Sequence, residues 1–262
     1  MKKVLMIVQN DFVNDSRIIK EANTLGKNGY EVLVLALYRE KLKKKERFDF
    51  FDVERIQLFT RDKLSNRIIY LQFIKYIEFY NKCVNRAKIF VPDIVHCHDM
   101  STLPIGRKIQ KTIGCKFIYD SHELWSHSSG VSKYPSYLLK YRNNLEKRVA
   151  IKSDAIITVS DSIANKLEEQ FSLDRKPIVN RNIPLKKDIK VKQNIFRNKF
   201  NISADKKIIL YQGGVSKGRG IEKTIESIPL IDNNIVLVIL GNGVLTNNLK
   251  ELAIKLRVED RV

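Results

Sequence analysis

The residues best equipped for chemistry stand in three short runs: His96-Cys97-His98-Asp99, Asp120-Ser121-His122-Glu123, and the glycine-rich Gly213-Gly214-Val215-Ser216-Lys217-Gly218-Arg219-Gly220. The first two close stretches, Pro92 to His98 and Lys116 to Tyr119, that read as β-strands. In an open parallel sheet, ligands bind beyond the carboxyl ends of the strands, so His98, Asp99, Asp120, His122 and Glu123 are expected in one crevice. A histidine there can hydrogen-bond a sugar hydroxyl or relay a proton near neutral pH. The competing reading has Asp120 and Glu123 capping the next turn and His122 packing on Trp125. Strand alternation puts His96 and His98 on one face, as in a metal pair, but no further spaced set of histidine and carboxylate follows, so no metal is expected.

The third run offers different chemistry. Ile208 to Tyr211 reads as a buried parallel strand, and Ile221, Ile225 and Ile228 recur at helical spacing, so the turn between them opens a helix. Gly213, Gly214, Gly218 and Gly220 let backbone approach a ligand, the helix dipole adds partial positive charge, and Lys217 and Arg219 add full charges. Such a turn suits phosphate.

Parallel strands are needed to hold these runs, and the pattern supplies them. Lys3 to Val8, Ser16 to Lys27 and Glu31 to Leu37 read as strand, helix and strand, a βαβ unit stopped by Asn28-Gly29. Its loop, Gln9 to Asp15, lacks GxGxxG, which excludes a nicotinamide dehydrogenase. Asp15 can cap the helix; Arg17, unfavourable in a first turn, is expected to be held for a ligand or partner. Arg39 to Arg47 is a basic loop. Leu64 to Phe90 is a long amphipathic segment, expected to be mostly core, with part of its aromatic stripe suited to a membrane interface. Helices follow over Leu103 to Thr112, Tyr137 to Ile151 and Ser160 to Phe171, with strands at Asp154 to Val159 and Pro177 to Asn180. Asn194 to Phe200 is a short helix. Ile235 to Leu240 is a strand ending in Gly241-Asn242-Gly243, and Thr246 to Leu256 is a helix. This is an α/β chain, divided as residues 1–180, a linker at 181–206, and residues 207–262, where two βα units are too few for an independent open sheet.

The 262 residues hold 48 Lys plus Arg against 29 Asp plus Glu, a net charge of +19, which calls for an anionic partner. Nucleic-acid, membrane and phosphorylated small-molecule partners all fit that charge, but no zinc-finger, basic-zipper or RNA-binding aromatic signature appears, so specific nucleic-acid binding is not expected. No apolar run approaches the roughly eighteen residues a membrane span needs. Cys83, Cys97 and Cys115 form neither a disulfide framework nor a CxxC pair, in keeping with a reducing, cytoplasmic location.

As a set, Asp15-x-Arg17, Asp93-Ile94-Val95-His96-Cys97-His98-Asp99, Tyr119-Asp120-Ser121-His122-Glu123, Thr158-Val159-Ser160, Gly213, Arg219-Gly220 and Gly241-Asn242-Gly243 resemble the family 4 retaining glycosyltransferases of the two-Rossmann-domain GT-B architecture. The resemblance runs over essentially the whole chain. It implies an acceptor-side domain at 1–180 and the opening of a nucleotide-sugar-binding domain at 207–262. It implies sugar transfer from a nucleotide sugar to a glycan or lipid-linked acceptor with retention, in cell-surface polysaccharide synthesis. By that resemblance His122 contacts the transferred sugar, Gly213, Gly214, Lys217, Arg219 and Gly220 hold the diphosphate, and Gly241 and Gly243 meet the nucleotide. Many members carry an arginine where this chain has Gly214. Neither cofactor nor metal is implied, since cations and the helix dipole can stabilise the leaving diphosphate. The family's pair of donor-binding glutamates would lie beyond Val262, so the chain alone is expected to be catalytically weak or inactive. The charge admits peripheral binding to the anionic inner face of the cell membrane. The alternative class is a non-catalytic glycan- or membrane-binding fragment.

Overall fold

The structure is a computed structural model that describes residues 1–13, 15–63, 69–124, 135–184, 186 and 193–262. It divides into two compact units, Met1–Pro184 and Leu185–Val262. Trp125, the first residues of the Leu64 to Phe90 segment and much of the expected linker lie outside the described residues.

The first unit is built on strands β1 (Lys3–Ile7), β2 (Glu31–Leu37), β3 (Lys45–Arg47), β4 (Asp52–Ile56), β5 (Ile94–His98), β6 (Lys116–Ser121), β7 (Ala155–Thr158) and β8 (Ile178–Val179), in the order β3-β4-β2-β1-β5-β6-β7-β8. Every neighbouring pair is parallel except β3 with β4. The order reverses between β1 and β5, the switch point where open α/β sheets admit ligands. Helices are α1 (Ser16–Lys27), α2 (Phe59–Lys63), α3 (Ile69–Phe90), α4 (Leu103–Ile113), α5 (Ser136–Ala150) and α6 (Asp161–Phe171).

The ends of these helices follow from their capping residues. The Asp15 side chain accepts from Ile18 N to open α1, and Ser160 accepts from Ile163 N to open α6. Gly114, at φ 83°, closes α4 by donating its N–H to Gln110 O.

The two sheet faces differ. One carries Leu5, Ile7, Val95, Cys97, Phe117 and Tyr119 against apolar residues of α3, α4, α5 and α6. The other carries Val4, Met6, Val34 and Val53 under Ile18 and Ala22 of α1. Each fully buried Leu or Ile contributes about 1.5–3 kcal/mol of hydrophobic stabilisation, so these layers fix the strand ends firmly.

The basic loop is partly ordered as β3, an edge strand, and β4 was not foreseen. Its alternation buries Val53 on the α1 face and carries Arg55, 5% exposed, whose guanidinium reaches Asp11 O, Phe12 O, Lys43 O and Glu46 Oε2. The α3 stripe is only partly core. Phe79 and Cys83 are buried and Lys75 is 6% exposed, while Phe73, Ile74 and Ile77 are exposed.

The second unit holds α7 (Ile195–Phe200), β9 (Lys207–Gln212), α8 (Ile221–Ser227), β10 (Ile235–Leu240) and α9 (Thr246–Lys255). β9 and β10 are parallel neighbours. β9 is not buried as expected: Ile209 and Leu210 are exposed, because among the described residues β10 is its only hydrogen-bonded strand. Val215, Ile221, Ile225, Leu237 and Leu249 form this unit's core.

Candidate active site

The α1 face of the central sheet is apolar over β1 and β2 and becomes ionisable at β5 and β6. Val95 and Cys97 point to the opposite core, so alternation turns His96 and His98 toward α1, and the pairing of His98 with Asp120 brings the carboxylate beside them. His96, His98 and Asp120 are 5%, 0% and 1% exposed. Past the strand end, His122 folds back over the pair. Its Nε2 lies 3.1 Å from Asp120 Oδ2 and 3.2 Å from His98 Nδ1, and its Nδ1 lies 3.4 Å from Asp99 Oδ1. Asp99 holds this place with φ 64°, a left-handed conformation that costs a non-glycine residue about 1–3 kcal/mol and concentrates at functional sites. Its N–H bonds Asp120 O, and Thr102 Oγ1 donates to both His98 O and Asp99 O.

Burial pushes the His98 imidazole down, and its neighbour His96 pushes the same way, to about 4. Burial also works against the charged form of His122, but hydrogen bonds to Asp120 and Asp99 outweigh it and lift this group to about 9. Burial would raise the Asp120 carboxyl; the imidazoles of His122, His96 and His98 that face it reverse that and hold it far below the usual carboxylate range. Glu21, from the middle of α1, is raised by burial and by the Asp120 charge. The cluster therefore sets an imidazolium against a carboxylate at the mouth of the crevice, with a neutral imidazole beneath.

A cavity of about 390 Å³ opens at the carboxyl edge of β5 and β6, lined by Asp15, Arg17, Asp99, Tyr119, His122, Glu123 and Arg142 among others. A second, of about 320 Å³, holds Asn10, Asp11, Asp15, Arg17 and Asn182. The structure thus brings Asp15, Arg17, Asp99, His122 and Glu123 together and lays His98 and Asp120 beneath them. Asp15 accepts hydrogen bonds from Asn10 Nδ2 as well as Ile18 N, so the capping role is real. Arg17 Nε and Nη1 are buried with no hydrogen-bond partner. Glu21 and Arg142 were missed, because charges within helical patterns read as solvated. A four-residue stagger from Arg17 was the available signal for Glu21.

The second unit carries the glycine-rich turn. Gly213, Gly218 and Gly220 have φ of 152°, 80° and 73°, conformations open to glycine and strained for other residues, and Lys217 and Arg219 are exposed. Gly220 opens α8, and Val215 is buried beneath the turn. Gly241 and Gly243 have a structural reason of their own: a Cβ would strike Gly213 O at one and Val215 O at the other. Val215 N also bonds Asn242 O, so the two loops brace one another. A larger hollow in this unit, about 1020 Å³, is mostly apolar and includes Gly241 but neither Lys217 nor Arg219; the chemistry argues against it as the phosphate site despite its size.

This fold is of the GT-B glycosyltransferase type. Over the whole chain it matches sucrose-phosphate synthase from Thermosynechococcus elongatus, at TM-score 0.77 and 15% identity over 69% of that protein. It likewise matches Anabaena Alr3699/HepE in complex with UDP and glucose, at TM-score 0.68 and 16% identity over 68% of that protein. The family model for Glycosyltransferase Family 4 matches residues 17–179 and that for Glycosyl transferases group 1 matches residues 192–262; the chain belongs to glycosyltransferase family 4. The uncharacterized glycosyltransferase MJ1607 of Methanocaldococcus jannaschii is 28% identical over 186 residues, which are 65% of this chain and 45% of that relative. The chain thus spans less than half the length of this curated relative.

Proposed function

We propose that this chain belongs to a retaining glycosyltransferase that moves a sugar from a nucleotide-sugar donor to a glycan or lipid-linked acceptor in cell-surface polysaccharide synthesis. The observation that carries the reading is the convergence of His122, Asp120 and Asp99 beyond the carboxyl ends of β5 and β6, inside the segment that matches the family. A nucleotide-sugar donor is supported by HepE, solved with UDP-glucose, and by Staphylococcus aureus MnaA, solved with UDP.

In this reading the backbone around Gly213, Gly214 and Gly220 and the charges of Lys217 and Arg219 hold the diphosphate and stabilise it as it leaves. Gly241 and Gly243 shape the neighbouring loop for the nucleotide. His122, clamped between two carboxylates, contacts the transferred sugar. Asp15, Arg17 and Glu123 face the acceptor. The sugar–phosphate bond breaks, the acceptor oxygen bonds the anomeric carbon on the same face, and the leaving phosphate oxygen takes the acceptor's proton. Neither metal nor cofactor takes part in that step. Among the described residues no helix is long and apolar enough to cross a membrane; the net charge of +19 supports peripheral docking on the anionic inner face of the cell membrane.

Calorimetry with UDP and GDP tests the phosphate assignment. One of the two should bind, and Arg219→Ala should weaken it about tenfold, the loss expected for one charge-assisted contact. In a full-length protein that carries the rest of the second domain, His122→Ala should abolish transfer while leaving nucleotide affinity in place. Binding indifferent to Arg219→Ala would remove the turn from the mechanism.

A further inference from the structure

The cluster beneath His122 has a property that sugar transfer does not explain. One donor atom each from Glu21, His96, His98 and Asp120 lies within 4.8 Å of the other three. His98 Nδ1 is 3.3 Å from Asp120 Oδ2 and 4.0 Å from Glu21 Oε2, and His96 Nε2 is 3.7 Å from Asp120 Oδ2. Two of these atoms, His96 Nε2 and Glu21 Oε2, are buried with no hydrogen-bond partner. An unsatisfied buried polar atom is destabilising, so two facing one point call for an occupant.

Protons alone do not satisfy the geometry. Asp120 Oδ2, His98 Nδ1 and His122 Nε2 form a triangle with edges of 3.1, 3.2 and 3.3 Å. If both imidazoles donate to the carboxylate, two donors face each other along the 3.2 Å edge. If His98 Nδ1 is bare, it accepts from His122 but sets its lone pair against the carboxylate oxygen. Each proton arrangement leaves like facing like, whereas a cation turns the inward lone pairs of His98, His96, Asp120 and Glu21 into ligands and leaves His122 to donate to Asp120.

We propose that Glu21, His96, His98 and Asp120 form a buried site for a divalent transition-metal ion of the zinc type. Two imidazole nitrogens and two carboxylate oxygens suit zinc, and the two carboxylate charges neutralise it. Donors about 2.0–2.2 Å from a tetrahedral ion stand about 3.3–3.6 Å apart; three of the donor pairs stand at 3.3, 3.7 and 4.0 Å and all lie within 4.8 Å, so side-chain rotations that draw the four inward would close the site. Outer partners are in place: Asn180 Nδ2 donates to the second oxygen of Glu21 at 2.9 Å, and His122 sits on Asp120. The sequence alone hid this set because its carboxylates come from α1 and β6, far in the chain from the His-x-His pair. The ion would tie α1 to β5 and β6 and fix the carboxylate that orients His122. Its role is structural, separate from the diphosphate chemistry of the turn.

The test uses the full chain without a polyhistidine tag, grown with zinc present. Elemental analysis should find about one zinc per chain, and after chelation calorimetry with zinc chloride should show one saturable site. Glu21→Gln keeps the Asn180 hydrogen bond but loses the anionic donor, and His96→Gln loses the nitrogen. Each should bind zinc at least about tenfold more weakly while circular dichroism reports an unchanged fold. Protein purified free of metal that takes up none below about 10 μM, or equal affinity in both variants, overturns the site. Neither readout depends on sugar transfer, so the two proposals fail separately.

Discussion

Replacing Arg55 with methionine should destabilise the first unit and loosen the loop that delivers Asp15 and Arg17. The side chain is 3% exposed, with Nε 3.0 Å from Asp11 O, Nη1 2.8 Å from both Lys43 O and Glu46 Oε2, and Nη2 3.3 Å from Phe12 O. Charge-assisted hydrogen bonds contribute about 1.5–3 kcal/mol each, so the four together set a ceiling of roughly 6–12 kcal/mol. Water can reach Lys43 and the half-buried Glu46 in the variant, which leaves chiefly the Asp11 and Phe12 carbonyls orphaned. Each orphaned buried carbonyl costs about 1–3 kcal/mol, so about 2–6 kcal/mol is the expected loss. Phe12 adds to it, since its φ of 52° is held against its own preference by these bonds. Urea unfolding should show the loss, and hydrogen exchange should show lost protection around residues 9–17. Arg55→Lys, which keeps charge but not the fork, should fall between. A methionine variant within about 1 kcal/mol of the parent would refute the claim that this guanidinium holds the loop.

Three further outcomes are expected. Tyr119→Phe removes the hydroxyl that donates to Glu146 Oε1 at 2.6 Å between two buried residues, and should cost about 1–3 kcal/mol in urea unfolding; no change would mean water replaces the donor. Burial raises the Glu78 carboxyl, but Lys82, Thr60 and Phe59 outweigh it and hold it at about 2, so its contribution is full above the ordinary value of 4.5 and lost as pH falls toward 2. The stability gap between parent and Glu78→Gln should therefore shrink across that window, and a gap flat in pH would contradict the assignment. At Gly214 an added Cβ meets nothing within 4 Å, so Gly214→Arg should fold normally and tighten nucleoside-diphosphate binding about tenfold in calorimetry; unchanged affinity would place the phosphate elsewhere.

Much of the scaffold was legible because its signals are local. The helix Ser16–Lys27 and the strand Glu31–Leu37 have the bounds that periodicity and Asn28-Gly29 give them. The strand-end histidines and acids of the first unit were readable because parallel strands deliver their carboxyl ends to one edge. β4 was not, because Asp52, Glu54 and Arg55 make its five residues look like a polar loop, and only the folded chain shows Arg55 buried. The stripe on α3 carried apolar residues around much of its circumference, so spacing could not say that Phe73 and Ile77 would stay outside while Lys75 went in. Gly241 and Gly243 were read for a ligand, and the close crossing of two loops accounts for both.

One side of the central sheet is mostly oily, while the other gives its middle over to imidazoles and acids. The work of folding and the work of recognition are thereby divided between opposite surfaces of the same strands. Substitutions that retune the polar half can leave the greasy half undisturbed, so a scaffold of this design can change what it recognises over evolutionary time and keep its shape.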